Sequence, residues 1–382
     1  MNKIKYHTAI PNLNGNESKY LQDCIEKGFV STAGDYIPKF EKEIAKISGS
    51  KQSVALNSGT SALHMALIAS KVENDDLVFC PSMTFIASAN AIKYCHADPV
   101  FIDIETDTFC ICPLAIENYI SQECSFRKNV LIHIKTGRKL KAILVVSFLG
   151  NSAKFEQLKM ICDKYNLKLI IDAAASIGLS PRSKPIVDFG DFITYSFNGN
   201  KTITCGGGGA IVSHDDLSID YVRHLSSTAR LGTEYIHDNV GYNYRITNIE
   251  AAVGLAQIER LQDFLTKKKF YYDFYQKNLR QLTMIPFDRE LGSVHWFSAF
   301  IWTEQSKSTN EVISYLNQIG CDTRPLWTPV TESAPYKDAL KGPLENTYRL
   351  FNKIVILPSS TTLKLEDLES ITKQLNSFLS HD

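Results

Sequence analysis

The sequence predicts an α/β fold: a large, mostly parallel sheet with helices over residues 1–250, followed by a smaller α+β domain over 251–382. Three observations predict it. Short β-rich runs alternate with helical ones through the first two-thirds of the chain. Residues 142–172 make up a complete strand–helix–strand unit. Near Thr247 the texture changes to long helical patterns with few strands between them. At 382 residues and 44% hydrophobic content, the chain can bury a core of this size.

The first unit runs from an apolar strand (53–56) through a turn (57–60) into a helix (61–70). In the clearest unit, 142–147 is an apolar run of strand length, and Ser152 is placed to cap a helix. The apolar face of that helix is Phe155, Leu158, Ile161, Cys162 and Tyr165. Asn166 ends it, and 167–171 is the next strand, so the unit reads as a right-handed parallel crossover. Thr247 and Glu250 form a Thr-x-x-Glu capping box. The helix behind them is expected to continue through Leu255, Ile258, Leu261 and Phe264 towards Tyr275, and to serve as the hinge of the smaller domain. A strand-like stretch (294–302), a helix (311–319) and a closing helix (365–378) complete that domain.

Composition narrows the function classes. Lys+Arg and Asp+Glu both number 41, so the basic excess of a nucleic-acid binder is missing. No apolar run approaches the roughly 20 residues that span a bilayer, and the polar stretch 1–16 does not read as a signal peptide. A cytoplasmic protein with reduced thiols is expected. Cys110 and Cys112 lie too close together for a zinc knuckle, and no second pair complements them.

Four segments have residues suited to chemistry. In Asn57-Ser58-Gly59-Thr60-Ser61 a strand ends, glycine turns the chain and a helix begins; free N–H groups and the positive helix end suit a phosphate. An ordinary structural cap uses the same residues, and no Gly-Lys-Ser/Thr follows to make a Walker loop. Asp172 ends a strand at the edge where α/β sheets bind ligands, and its carboxylate can keep a ligand nitrogen protonated or simply cap a helix. Lys201 follows the run Thr194-Tyr195-Ser196-Phe197-Asn198-Gly199-Asn200. A lysine stripped of water becomes a Schiff-base nucleophile, whereas an ordinary lysine is a solvated charge. The glycines 206–209 lead into a strand rather than a helix, which excludes a dinucleotide loop and points to close backbone approach. Gly241-Tyr242-Asn243-Tyr244-Arg245-Ile246-Thr247-Asn248 either serves a site or packs a domain junction.

In this order and at these spacings, the segments resemble the nucleotide-sugar aminotransferases (DegT/DnrJ type) among the fold-type I pyridoxal-phosphate enzymes, over roughly residues 8–380. The closer resemblance is to the branch that aminates UDP-linked 4-keto-6-deoxy-N-acetyl sugars in legionaminic acid and bacillosamine pathways. It rests on 11–17, on Lys135-Thr136-Gly137-Arg138, on 196–201, on Tyr235-Ile236-His237 and on Thr323-Arg324-Pro325-Leu326-Trp327.

The resemblance implies that Lys201 is the Schiff-base lysine and proton shuttle, and that Asp172 pairs with the pyridinium nitrogen. Gly59, Thr60 and Ser196 would cradle the phosphate and Phe85 would stack on the ring. Asn243 would reach the phosphate of a neighbouring subunit, making a homodimer with shared sites. Tyr235, His237 and Arg324 would hold substrate, L-glutamate would donate the amine, and a UDP-linked keto-sugar of surface-glycan biosynthesis would accept it. Two positions depart from the family pattern: Ala175, where Gln, Glu or His is usual, and Ser147, where His is usual. Two other readings stay open. One is a different reaction or acceptor on the same fold: a sugar dehydratase, disfavoured because such relatives have histidine in place of Lys201, or an aminotransferase on a different keto-sugar. The other is a cofactor-binding regulatory protein without catalysis.

Overall fold

The computed structural model describes residues 4–288, 291–303 and 307–380. Helices α1 (Glu17–Lys27) and α2 (Tyr36–Ser48) open the chain. β1 (Ser53–Leu56) leads into α3 (Gly59–Ala69), followed by β2 (Leu77–Pro81), α4 (Ala87–Tyr94), β3 (Asp98–Ile102) and α5 (Pro113–Glu123). A hairpin, β4 (Cys124–Arg127) with β5 (Val130–His133), precedes β6 (Lys139–Val146), α6 (Phe155–Tyr165), β7 (Lys168–Asp172), β8 (Phe192–Ser196) and β9 (Gly209–Val212).

These nine strands form one mixed sheet in the order β1-β9-β8-β7-β6-β2-β3, with β5 on β6 and β4 on β5. The pairs from β8 across to β3 are parallel; the β8–β9, β9–β1, β5–β6 and β4–β5 pairs are antiparallel. The unit at 142–172 is the expected parallel crossover, with Ala142 opposite Lys168 and Val146 opposite Asp172. β6 reads as a continuous apolar run because both of its faces are covered. Ile143 and Val145 enter one core, while Ala142, Leu144 and Val146 enter the other.

The chain continues through α7 (Asp216–Ser226), the small hairpin β10 (Arg230–Leu231) with β11 (Ile236–His237), α8 (Asn248–Ile258) and α9 (Leu261–Asn278). Then come β12 (Thr283–Met284), β13 (Ala299–Ile301), α10 (Thr309–Gln318), α11 (Glu345–Leu350), β14 (Ile354–Ile356) and α12 (Leu365–Leu379). β12, β13 and β14 form a separate antiparallel sheet. A third core, including Tyr275, Phe300, Val312, Leu316, Ile371 and Leu375, lies against it.

Several boundaries differ from the sequence expectation, two where a distant group claims the local polar atoms and one where a local cap forms earlier. The capping box forms as expected: Thr247 accepts from the Glu250 N–H, and Glu250 accepts from the Thr247 N–H at 2.9 Å. The helix behind it is not continuous. It breaks between α8 and α9, where Glu259 accepts from Asn16 and Tyr20, and Arg260 donates to Asn12. Ser152 does not cap α6, whose N-cap is Lys154; its N–H is taken by Ser293 Oγ at 3.2 Å. α3 starts two residues earlier than expected because Ser58 is its N-cap, accepting from the Ser61 N–H at 3.0 Å.

In the stretch 294–302 only Ala299–Ile301 is a strand. Val294 and Trp296 instead donate to the Gly150 and Leu149 carbonyls, so this segment reaches from the small sheet to the loop after β6.

Candidate active site

The parallel strands end on one edge, and the candidate residues gather there around a cavity of about 560 Å³. Gly59, Thr60, Phe85, Asp172, Ser196 and Lys201 all line it, and so does Arg324 from the far end of the sequence.

Asp172 is buried at the end of β7. Its Oδ2 accepts from Ser88 Oγ at 2.9 Å and its Oδ1 from the Ala174 N–H at 3.1 Å. Burial pushes its pKa up, while those two donors and the charge of Lys201 oppose the rise. Lys201 follows β8 on a turn closed by its own N–H to the Asn198 carbonyl at 2.9 Å. Burial lowers its pKa to about 8, against the opposing pull of Asp172. Its Nζ lies 3.9 Å from the centre of the Trp296 ring.

The turn before α3 is crowded enough to require glycine. A Cβ on Gly59 would come within 2.7 Å of the Ser196 Cβ, and a side chain on Gly209 would collide with the Ser58 carbonyl. The glycine run at 206–209 therefore does what its strand-forming sequel implied: β9 opens at Gly209 and packs backbone to backbone against the β1–α3 turn. That packing places Gly59 and Thr60, the first two residues of α3, on the cavity wall. There the positive end of the helix favours an anion.

One wall is aromatic. Phe85 and Phe148 both contact Trp327, with ring centres 6.1 and 6.0 Å apart, and Phe85 and Arg324 are exposed. Ser147 and Ala175, the two departures from the family pattern, also line the cavity. Ser147 Oγ is buried and has no hydrogen-bond partner among the described residues.

The structure leaves three named residues outside this cavity. Asn243 is exposed, with its carbonyl accepting from Asn57 Nδ2 at 3.3 Å. Tyr235 and His237 sit on the exposed β10–β11 hairpin, Tyr235 being 86% accessible. The motif 135–138 is also away from the site. Arg138 pairs with Asp98 at 2.7 Å and donates to the Asp75 and Asp76 carbonyls, bracing the sheet edge. Sequence reasoning missed Ser88 and Trp296. Ser88 had a local signal, lying three residues after Phe85 at the start of α4. Trp296 had none, because only the fold brings the segment before β13 against the loop after β6 and the turn at Lys201.

The chain is similar to several known proteins along nearly its whole length. A Bacillus subtilis (strain 168) protein described as a pyridoxal phosphate-dependent aminotransferase, EpsN, is 34% identical, over 94% of this chain and 92% of its own. The GDP-perosamine synthase of Escherichia coli O157:H7 is 33% identical over 97% of each chain. A Campylobacter jejuni UDP-4-amino-4,6-dideoxy-N-acetyl-beta-L-altrosamine transaminase is 28% identical over 92% of each. Among solved structures, a Brucella abortus aminotransferase superposes with a TM-score of 0.87 at 25% identity, covering 96% of this chain and 95% of its own. With residues 11–376 matching the DegT/DnrJ/EryC1/StrS aminotransferase family, the chain belongs to that family and is an aminotransferase whose cofactor is pyridoxal phosphate.

Proposed function

We propose that the protein moves an amino group from L-glutamate to the keto carbon of a nucleotide-linked 4-keto-6-deoxy sugar, with Lys201 as the catalytic lysine. The observation that carries this is the placement of Lys201 and Asp172 in one cavity with the N-terminus of α3. The residues present fit the cofactor. The crowded turn at Gly59, Thr60 and Ser196 suits its phosphate, the Asp172 carboxylate suits a cationic ring nitrogen, and Phe85 offers an aromatic face. Bound there, pyridoxal phosphate supplies an electron sink for the carbon that loses its proton.

The chain's own residues do the rest. Ser88 and the Ala174 N–H fix both oxygens of Asp172, so the carboxylate is held rather than left to rotate. Lys201, with its pKa lowered by burial, has a larger neutral fraction near neutral pH than a surface lysine. Its Nζ can accept one proton from a carbon and return it to another. Arg324 and the Phe85–Trp327 wall suit the diphosphate and base of a nucleotide sugar.

A second copy of the chain would complete the site. Asn243 is exposed and does not line its own cavity, and the hairpin region beside it exposes Leu231, Tyr235, Ile236 and Val240. We assign Asn243 to the partner's phosphate site and Tyr235 and His237 to substrate held across the interface. The resemblance points to a UDP-linked N-acetyl sugar, while the 33% identical relative named for GDP-perosamine points to GDP.

The test is the absorbance of the purified protein before and after L-glutamate, followed by UDP- and GDP-linked 4-keto-6-deoxy sugars. A visible band that glutamate bleaches, and that one of the sugars restores with an amino-sugar of the matching mass, supports the whole reading. A band that glutamate leaves untouched refutes the donor. A failure of both sugars to restore the band refutes the acceptor.

A further inference from the structure

Trp296 is anchored at every polar atom it has. Its backbone N–H donates to the Leu149 carbonyl at 3.0 Å, and its own carbonyl accepts from Lys268 Nζ at 2.9 Å. Its indole N–H donates to the carbonyl of Asn200, the residue before Lys201, at 2.8 Å. Leu149 holds a left-handed conformation (φ 53°), unusual for a branched side chain, in the turn that presents this carbonyl. Lys268 is itself buried, on α9. Three elements from distant parts of the chain therefore fix the tryptophan, and its ring face is what remains to act. That face receives the Lys201 ammonium at 3.9 Å.

An indole face attracts a cation most strongly where water is excluded. The other titratable groups lining the cavity are Asp172, Tyr195 and Arg324. The Tyr195 hydroxyl is engaged by Ser48 at 2.9 Å, and Arg324 is largely exposed beside Asp322. Asp172 and Trp296 are thus the two groups that favour the charged form of Lys201, and Trp296 is the one in contact with it.

We propose that Trp296 is the positioning residue of Lys201: its ring face holds the lysine ammonium whenever that group is free, keeping it aimed into the cavity between the two halves of the reaction. This rests on the assignment of Lys201 above. It adds to the site a residue from the segment leading into the small sheet.

The test follows the visible band as full-length, cofactor-stripped protein captures added pyridoxal phosphate across a pH series. The proteins compared are wild type, Trp296→Leu and Trp296→Phe, with Lys201→Ala as a blank. Leucine keeps the site apolar but removes the ring face, so the rising limb of the capture rate is expected about 0.5–1 pH unit lower. Phenylalanine keeps a weaker face without the indole N–H, and its limb is expected between the other two. In the loaded enzyme, kcat falls more than KM rises. A limb that stays in place in both variants, while both still form the band, overturns the proposal. If the leucine variant does not fold, the phenylalanine variant decides alone by the same criterion. Absence of capture by wild type overturns the Lys201 assignment itself, and this proposal with it.

Discussion

Lys201 and Lys268 lie in different parts of the chain, one in the turn after β8 of the large sheet and the other on α9 beside the small one. Burial lowers the pKa of each, to about 8 for Lys201 and about 7 for Lys268. What faces them differs. Lys201 opens onto a cavity of about 560 Å³, with Asp172 as a counter-charge and Trp296 under its ammonium. Lys268 donates to two backbone carbonyls, Trp296 at 2.9 Å and Ser359 at 3.1 Å, and burial is the sole cause of its shift. Loss of water depresses both amines. Only the one facing a cavity can meet a carbonyl compound, so a lowered lysine pKa marks a nucleophile only when there is room beside it. Lys268 does structural work with the same chemistry, tying α9 to the segment that carries Trp296.

The sharpest way to break this contrast is to remove each amine. Lys201→Ala is expected to abolish the visible cofactor band and lower turnover by at least about 10³-fold, with the fold intact by circular dichroism. A Lys201→Ala protein that keeps both band and turnover would erase the distinction. Asp172→Asn keeps the shape of the site but not its charge. On the proposed role of Asp172, steady-state kinetics should show kcat lower by about 10²–10³-fold, the bound ring losing its charge partner.

Lys268→Met should do the reverse. The band forms as in wild type, and denaturant unfolding reports a loss of about 1–3 kcal/mol as two buried carbonyls lose their donor. A larger loss of band than of stability would mean that Lys268 acts on the site rather than on the fold.

A further effect is in the pH dependence of stability. The folded pKa of Lys268 lies below its unfolded value, so the unfolded chain binds more protons between about pH 7 and pH 10.5. The cost of burying the charged amine is full below pH 7 and is relieved as pH rises through that window. Wild-type stability relative to Lys268→Met should therefore climb from pH 7 upward, measured by denaturant unfolding of both proteins across a pH series. A flat difference would show that the buried amine stays charged.

The two lysines also mark the limit of what could be read without the structure. Lys268 is the middle of Lys267-Lys268-Lys269, which composition alone reads as a solvated run. Its outer members do pair in solvent, with Asp263 and Asp273. In α9 Lys268 lies on the buried face with Phe264, Tyr271 and Tyr275, at a helical spacing that the sequence expectation did not carry through position 268. The sign was present, but no pattern says what a lysine on that face will bond.

The sequence by itself determined what depends on near neighbours. The apolar runs of β1, β6 and β7, the turn before α3, the capping box at Thr247 and the order of Asp172 before Lys201 are all local patterns, and helical and strand periods record them directly. Tertiary structure alone decided which distant groups meet. Ser88 reaches Asp172 across 84 residues and Trp296 reaches Asn200 across 96. The helix expected to run from Thr247 breaks where the N-terminal segment claims Glu259 and Arg260. Those contacts follow from the order of strands in the sheet and from the meeting of separate cores. Periodicity reports which face of an element is buried; what that face is buried against depends on the whole packed chain.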